Sequence, residues 1–140
     1  MSYSNPKRVS YSFPALNFAA AATRYIKAPK GCTRANIAGI MCSVTTLFTQ
    51  TTTPGYFNVD DAVTTGRYAS LNMGAAAAGT ALCDGDVAGS IPVNGSSTGP
   101  LDAGIDFDRD NITQIRVQAI APTGGTPAGV ADVHLTIDWF

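Results

Sequence analysis

VADVHLTIDWF, residues 130–140, is the stretch that decides the fold. From Ala131 to Trp139 every second residue is apolar, and the residues between them are Asp, His or Thr. A period of two is that of a β-strand with one face in the core and the other in water. The pattern predicts a strand that buries Trp139, and a one-residue slip in register would invert its two faces.

A second strand is predicted directly before this one, over Ile112–Ala121. The two stretches are separated by PTGGTP, residues 122–127, which is rich in turn-forming residues. Two alternating runs joined by a short Gly- and Pro-containing connection are typical of a β-hairpin. The sequence therefore predicts a long hairpin at this place.

The rest of the chain reads as further short strands joined by polar loops. On the longest predicted strand, Asn36–Phe48, both faces carry apolar residues, so we expect both faces of this strand to be partly covered. A Gly-, Ser- and Asp-rich loop is expected over 84–104. The resulting total of about eight strands predicts an all-β fold, an antiparallel β-sandwich or jelly-roll-like module. The further predicted strands are Val9–Phe13, Thr23–Ala28, Asn36–Phe48, Tyr56–Val59, Arg67–Met73 and Ile91–Val93.

Length and composition favour one domain with a neutral surface. The 140 residues suffice for a single core. Only 14% of them are charged, compared with roughly 25% in an ordinary soluble domain. We expect an extended N-terminal arm over residues 1–8 and a single β domain over 9–140, whose outer faces meet other proteins.

The charges are divided along the chain, although the net charge is only −1. The basic residues up to Arg34 have no acidic residue among them, and all ten carboxylates lie between Asp60 and Asp138. Strands from the two parts of the chain could neutralise each other within the fold, or the basic part could meet an acidic partner. A net negative charge argues against a nucleic-acid partner. The residues predicted to bind a partner are Tyr3, Lys7, Arg8, Lys27, Lys30 and Arg34.

The arm hypothesis rests on Lys7 and Arg8, for which we expect no nearby acid in the same chain. The alternative is that this segment begins the first strand, because the alternating pattern starts at Val9.

No catalytic, cofactor or metal motif is recognisable, and we expect a protein that is not an enzyme. Gly74–Gly79 has phosphate-loop spacing, but Thr80 replaces the lysine. The series Asp106, Asp108 and Asp110 lacks the glycine and glutamate of a calcium loop, which favours an acidic solvated turn. The only histidine, His134, lies on the polar face of a predicted strand.

The three cysteines form no metal-binding pattern, and we expect reduced and mostly buried thiols. The longest apolar run is far short of the ~20 residues that span a bilayer, so no membrane partner is expected.

Several stretches resemble the capsid decoration, or cement, proteins of tailed bacteriophages. The resemblance implies a β-sandwich or jelly-roll-like module, in a homotrimer, that binds the major capsid protein on the outer surface of the shell. It also implies synthesis in the host cytoplasm and a final place in the virion. The stretches are Ile26–Cys32, Ser43–Thr46, Tyr68–Gly74, Gly124–Val133 and Ile137–Phe140.

The alternative function is a carbohydrate- or receptor-binding β module of a virion. Such a module needs exposed aromatic rings as a platform. The candidates are Tyr56, Phe57, Tyr68 and Trp139, of which Trp139 is in phase with the buried face of its strand.

Overall fold

The structure is a computed structural model, and it describes residues 6–83 and 104–140. These residues form nine β-strands, a single 3₁₀ turn over Phe18–Ala20 and a one-turn helix α1 over Phe107–Asp110. The strands are β1 (Lys7–Asn17), β2 (Ala22–Lys27), β3 (Arg34–Thr49), β4 (Tyr56–Asp60), β5 (Ala69–Asn72), β6 (Ala81–Cys83), β7 (Ile105–Asp106), β8 (Gln114–Ile120) and β9 (Ala128–Trp139).

The strands form two antiparallel sheets. Sheet A has the order β1-β9-β3-β6, with the two-residue β7 also pairing with β3, and sheet B has the order β2-β8-β4-β5. Apart from β7, these are two sheets of four strands with the connectivity of a jelly roll. The predicted all-β antiparallel sandwich is confirmed.

The predicted hairpin is wrong, because β8 lies in sheet B and β9 in sheet A. The connection over residues 121–127 crosses between the sheets, with positive φ at Gly124 and Gly125. Two strands with a period of two can pair side by side or face each other across a core, and the alternation is the same in both cases. The connection is also longer than the two to five residues typical of hairpins.

The core lies between the two sheets. The inward side chains of β9 are fully buried, as predicted, and Trp139 is only 1% exposed. Sheet B contributes Ile115 and Val117 from β8. The rings of Phe13 and Phe57, one from each sheet, lie 5.8 Å apart, so aromatic packing joins the sheets directly.

The outer face of β3 is exposed, which corrects the expectation of partial cover on both sides. Ile40 and Cys42 are buried, whereas Met41 is 50% and Leu47 46% exposed. Sheet B covers only the inner face of sheet A, so the outward residues of β3 meet solvent.

The first strand begins at Lys7, inside the predicted arm, and pairs with β9 as far as Asn17. It also continues past Pro14, where we expected it to end, with an irregular register between Phe13 and Leu16. Lys7 and Arg8 therefore belong to a strand. Residues 1–5 with Tyr3, the predicted strand Ile91–Val93 and almost all of the loop 84–104 lie outside the described residues.

Candidate interaction surfaces

One end of the sandwich carries no ionisable side chain in its loops. The connections from β1 to β2, β3 to β4, β5 to β6 and β8 to β9 all lie at this end. They contain no Asp, Glu, Lys, Arg or His. We call this surface the neutral end and define it as residues 18–21, 50–55, 73–80 and 121–127.

Hydrogen bonds tie the loops of the neutral end to one another. The backbone N–H groups of Thr51 and Thr52 both donate to the carbonyl of Thr123. The side chain of Gln50 donates to the Gly74 carbonyl at 2.9 Å. Three of the four loops, 50–55, 73–80 and 121–127, are therefore joined to one another, and most of their residues are Thr, Ala, Gly or Pro.

The opposite end, the charged end, consists of residues 28–33, 61–68 and 107–113. At its centre the Asp110 side chain has no solvent exposure. It accepts hydrogen bonds from Arg67 at 3.0 Å, Arg109 at 2.8 Å and the Tyr68 hydroxyl at 2.6 Å. Asp61, which also accepts from Arg67 at 2.7 Å, extends this network.

The network keeps Asp110 ionised. Burial alone would raise the pKa of Asp110, but hydrogen bonds from Arg109 and Tyr68 and the positive charges of Arg109 and Arg67 outweigh it and lower the pKa. Burial, with the hydrogen bond to Asp110, raises the pKa of Tyr68. The prediction of a solvated acidic turn is therefore wrong for Asp110. Its partners Arg67 and Tyr68 are some forty residues away in the sequence, and no local sequence pattern predicts these contacts.

A second buried carboxylate anchors the β4–β5 loop. Asp60 is fully buried and accepts two hydrogen bonds from Arg116, at 2.7 and 3.0 Å. It also accepts from the backbone N–H groups of Ala62 and Gly66. The loop thereby folds back over the outer face of sheet B and buries Asn58 there, which is 3% exposed.

Four of the predicted partner-binding residues, Lys7, Lys27, Lys30 and Arg34, lie at or beside the charged end. Arg34 pairs with Asp106 at 3.4 Å. Among the described residues no carboxylate lies within ion-pair distance of the three lysines.

Arg8 makes an ion pair with Asp138 at 2.7 Å. The expectation that Arg8 has no acid nearby is therefore wrong. For Arg8 and Arg34, the two parts of the chain neutralise each other within the fold.

The predicted aromatic platform does not form. Phe57, Tyr68 and Trp139 are 1%, 3% and 1% exposed, and Tyr56 is half-buried. In the described part of the chain Tyr25, on β2, is the aromatic side chain that is most open to solvent, at 54%. Sequence reasoning missed it, because it lies in a short strand with no strict alternation.

His134 is exposed on the outer face of sheet A, 3.1 Å from the Ser12 hydroxyl.

Cys42 is buried, and burial raises the pKa of its thiol to about 12. Cys32 is half-buried and Cys83 exposed, so the prediction of mostly buried thiols is confirmed only for Cys42.

No group of three or more His, Cys, Asp or Glu residues within 6–83 and 104–140 is placed to hold a metal ion. None of the helices in those ranges is long and apolar enough to cross a membrane.

The fold defines the class of this chain, a jelly-roll β protein. No protein-family model and no curated protein matches its sequence. Among solved structures, it is similar to a chain of the "Cyanophage Pam1 capsid asymmetric unit", with 20% sequence identity and a TM-score of 0.41. The similarity covers 99% of this chain and 89% of that chain.

Proposed function

We propose that this chain is a virion structural protein that binds the outside of a bacteriophage capsid and stabilises it, as a decoration or cement protein. The observation that carries the proposal is the separation of charge between the two ends of the jelly roll. The loops of the neutral end have no ionisable side chain, whereas Lys7, Lys27 and Lys30, at or beside the charged end, have no ion-pair partner among the described residues.

The neutral end is suited to permanent contact with protein. Burying an ionised group in an interface costs several kcal/mol of desolvation free energy unless it is well paired. The loops of the neutral end avoid this cost, and their mutual hydrogen bonds limit the conformational entropy lost on binding. We assign this end to contacts between copies of the chain in a homotrimer.

The charged end is suited to orienting the protein on a shell. Lys7, Lys27 and Lys30 have no acidic partner among the described residues, so an acidic surface of the major capsid protein would attract them. The buried carboxylates Asp60 and Asp110 fix the loop over residues 61–68 at the same end of the molecule. The partners in this proposal are the major capsid protein and further copies of the chain, and no step requires catalysis or nucleic acid.

Stabilisation follows from mass action. A protein that binds the assembled shell but not its separated subunits favours the shell by RT ln(1 + [L]/Kd) per site. An excess of a hundred times Kd contributes about 2.7 kcal/mol for each occupied site.

The test is co-sedimentation of the purified protein with empty capsids assembled from the major capsid protein of the same virus. We expect saturable binding, and a higher dissociation temperature for the decorated shells than for bare ones. Failure of the wild-type protein to pellet with capsids at low salt would contradict the proposed function.

A further inference from the structure

Each sheet has two edges, and in the described part of the chain three of these four edges carry a protective feature. One edge of sheet A is formed by β6 and β7, which have only three and two residues, and β5 has four residues that are all buried. β1 is interrupted at Pro14 and Ala15, where the register shifts and φ of Ala15 is 47°. Short, covered and irregular edges of this kind resist pairing with a further strand.

β2 has none of these features. Its six residues, Ala22–Lys27, pair with β8 in an uninterrupted register and include neither Pro nor Gly. Thr23, Arg24 and Tyr25 are all exposed. Within the described residues β2 pairs with β8 alone, so its other edge presents backbone N–H and C=O groups.

Among the described residues, the unpaired charges next to this edge are of one sign. Five of the arginines are in ion pairs, and the basic residues without an ion pair in residues 6–83 and 104–140 are Lys7, Arg24, Lys27 and Lys30. Three of these four lie in β2 and the turn that follows it. An isolated Lys or Arg on an edge strand discourages pairing, whereas three uncompensated cations also attract a segment of opposite charge.

We propose that the open edge of β2 is a docking site for an extended acidic segment of a partner protein, which adds to sheet B as a fifth strand. Main-chain hydrogen bonds would supply affinity, and side chains would supply specificity. Arg24 and Lys27 are three positions apart, so the segment carries two carboxylates separated by two residues. Tyr25 lies between them and would pack against an apolar side chain of the added strand.

The docking site is inferred from the geometry of β2 and does not depend on the proposed function. Only the assignment of the partner protein as the major capsid protein rests on the proposed function.

A synthetic peptide tests the site without any capsid. The probe is acetyl-Thr-Val-Asp-Thr-Val-Asp-Thr-amide, and its control has Lys at both Asp positions. We expect the acidic peptide to shift the amide NMR signals of β2 and the lysine peptide to leave them unchanged. Shifts confined to another part of the chain, or equal shifts with both peptides, would overturn the proposal.

The protein variant is Arg24→Glu with Lys27→Glu, and the matched control is Ser43→Glu on the exposed outer face of sheet A. All substituted positions are exposed, so each variant should keep the dispersed NMR spectrum of the folded protein. We expect at least a tenfold weaker affinity for the acidic peptide in the double variant at low salt, and an unchanged affinity in the control. Equal affinity in all three proteins would refute the site.

Capsid binding separates this proposal from the proposed function. If wild-type protein pellets with capsids and the double variant pellets equally well, the β2 site is wrong and the decoration function stands. If the acidic peptide binds β2 but capsids do not bind the protein, the function is wrong and the site stands. Tighter binding of single- or double-stranded nucleic acid than of the peptide at β2 would overturn the assignment to an acidic protein segment.

Discussion

Arg8 and Asp138 hold each other in a two-bond ion pair across β1 and β9, with Nε 2.7 Å from Oδ1 and Nη2 2.8 Å from Oδ2. The charge of Arg8 is therefore compensated within the chain, whereas its neighbour Lys7 has no ion-pair partner among the described residues. We predict that Lys7→Ala weakens capsid binding at low salt more than Arg8→Ala does. Binding isotherms at increasing salt should show the difference fading as charges are screened. Equal losses of capsid affinity in the two variants would contradict the prediction that Lys7 contributes more than Arg8.

The inward face of β9 should dominate stability. Ile137→Ala removes a fully buried side chain from a strand that is paired on both sides, and we expect it to lower the free energy of unfolding by about 2–5 kcal/mol. Asp138→Ala should change it little, because its partner Arg8 is largely exposed. Urea denaturation followed by circular dichroism measures both. Deletion of Leu135–Phe140 should abolish soluble folding.

Gly129 should tolerate no side chain. A Cβ at this position would overlap the ring of Phe48, which is buried. We predict that Gly129→Ala lowers the free energy of unfolding by at least about 1–3 kcal/mol through overpacking. Gly39→Ala is the matched control, since nothing lies within 4 Å of its added Cβ. Similar thermal midpoints for the two variants would show that Phe48 can move aside.

Acid should weaken the charged end. The pKa of Asp110 is lower in the folded protein than its ordinary value of 3.8, so the stability it contributes is present above about pH 4 and is lost as the pH falls through the lowered pKa. We predict that Asp110→Asn costs about 2–3 kcal/mol at pH 7. The difference from wild type should shrink as the pH falls below about 4.

Urea unfolding across this range measures the effect. Asp108, in the same helix, is exposed and makes no ion pair with another described residue, so Asp108→Asn should follow the wild-type profile. A difference between Asp110→Asn and wild type that stays constant over the whole acid range in which both proteins remain folded would exclude the titration of Asp110 as its cause.

The neutral end should mediate self-association. We predict a homotrimer, measured by sedimentation equilibrium at several concentrations and by reconstruction of decorated capsids. Ala77→Lys places a charge on an exposed position of this end and should shift the equilibrium towards monomer, because that charge must be desolvated in the interface. Ser43→Lys on the outer face of sheet A is the control. A dimer both in solution and on the shell would refute the prediction.

Local features of the strands are predictable from the sequence, and their partners are not. The alternation in residues 131–139 identifies the buried face of β9 and the burial of Trp139. The same alternation gives no information on whether β8 lies beside β9 or across the core from it. In the jelly roll β8 lies across the core from β9, because the two strands belong to different sheets.

At the charged end, too, local features are predictable from the sequence, whereas the partners of individual residues are not. The abundance of acidic residues after Asp60 is visible in the sequence, and so is the lack of a calcium-loop pattern around Asp110. The burial of Asp110 depends on Arg67 and Tyr68, which only the folded chain brings to it. Electrostatic contacts between residues far apart in the chain produce no periodic pattern in the sequence.

The central position of β9 in sheet A also has a consequence for synthesis. β1 and β3 both pair with β9, and Ala128, the first residue of β9, follows Asn17, the last residue of β1, by 111 positions. At a ribosomal rate of about 5–20 residues per second, translation of the first residue of β9 follows that of the last residue of β1 by roughly 6–22 seconds. During that interval the nascent chain exposes unpaired apolar strands. Chaperone occupancy on the ribosome should therefore persist until β9 has emerged.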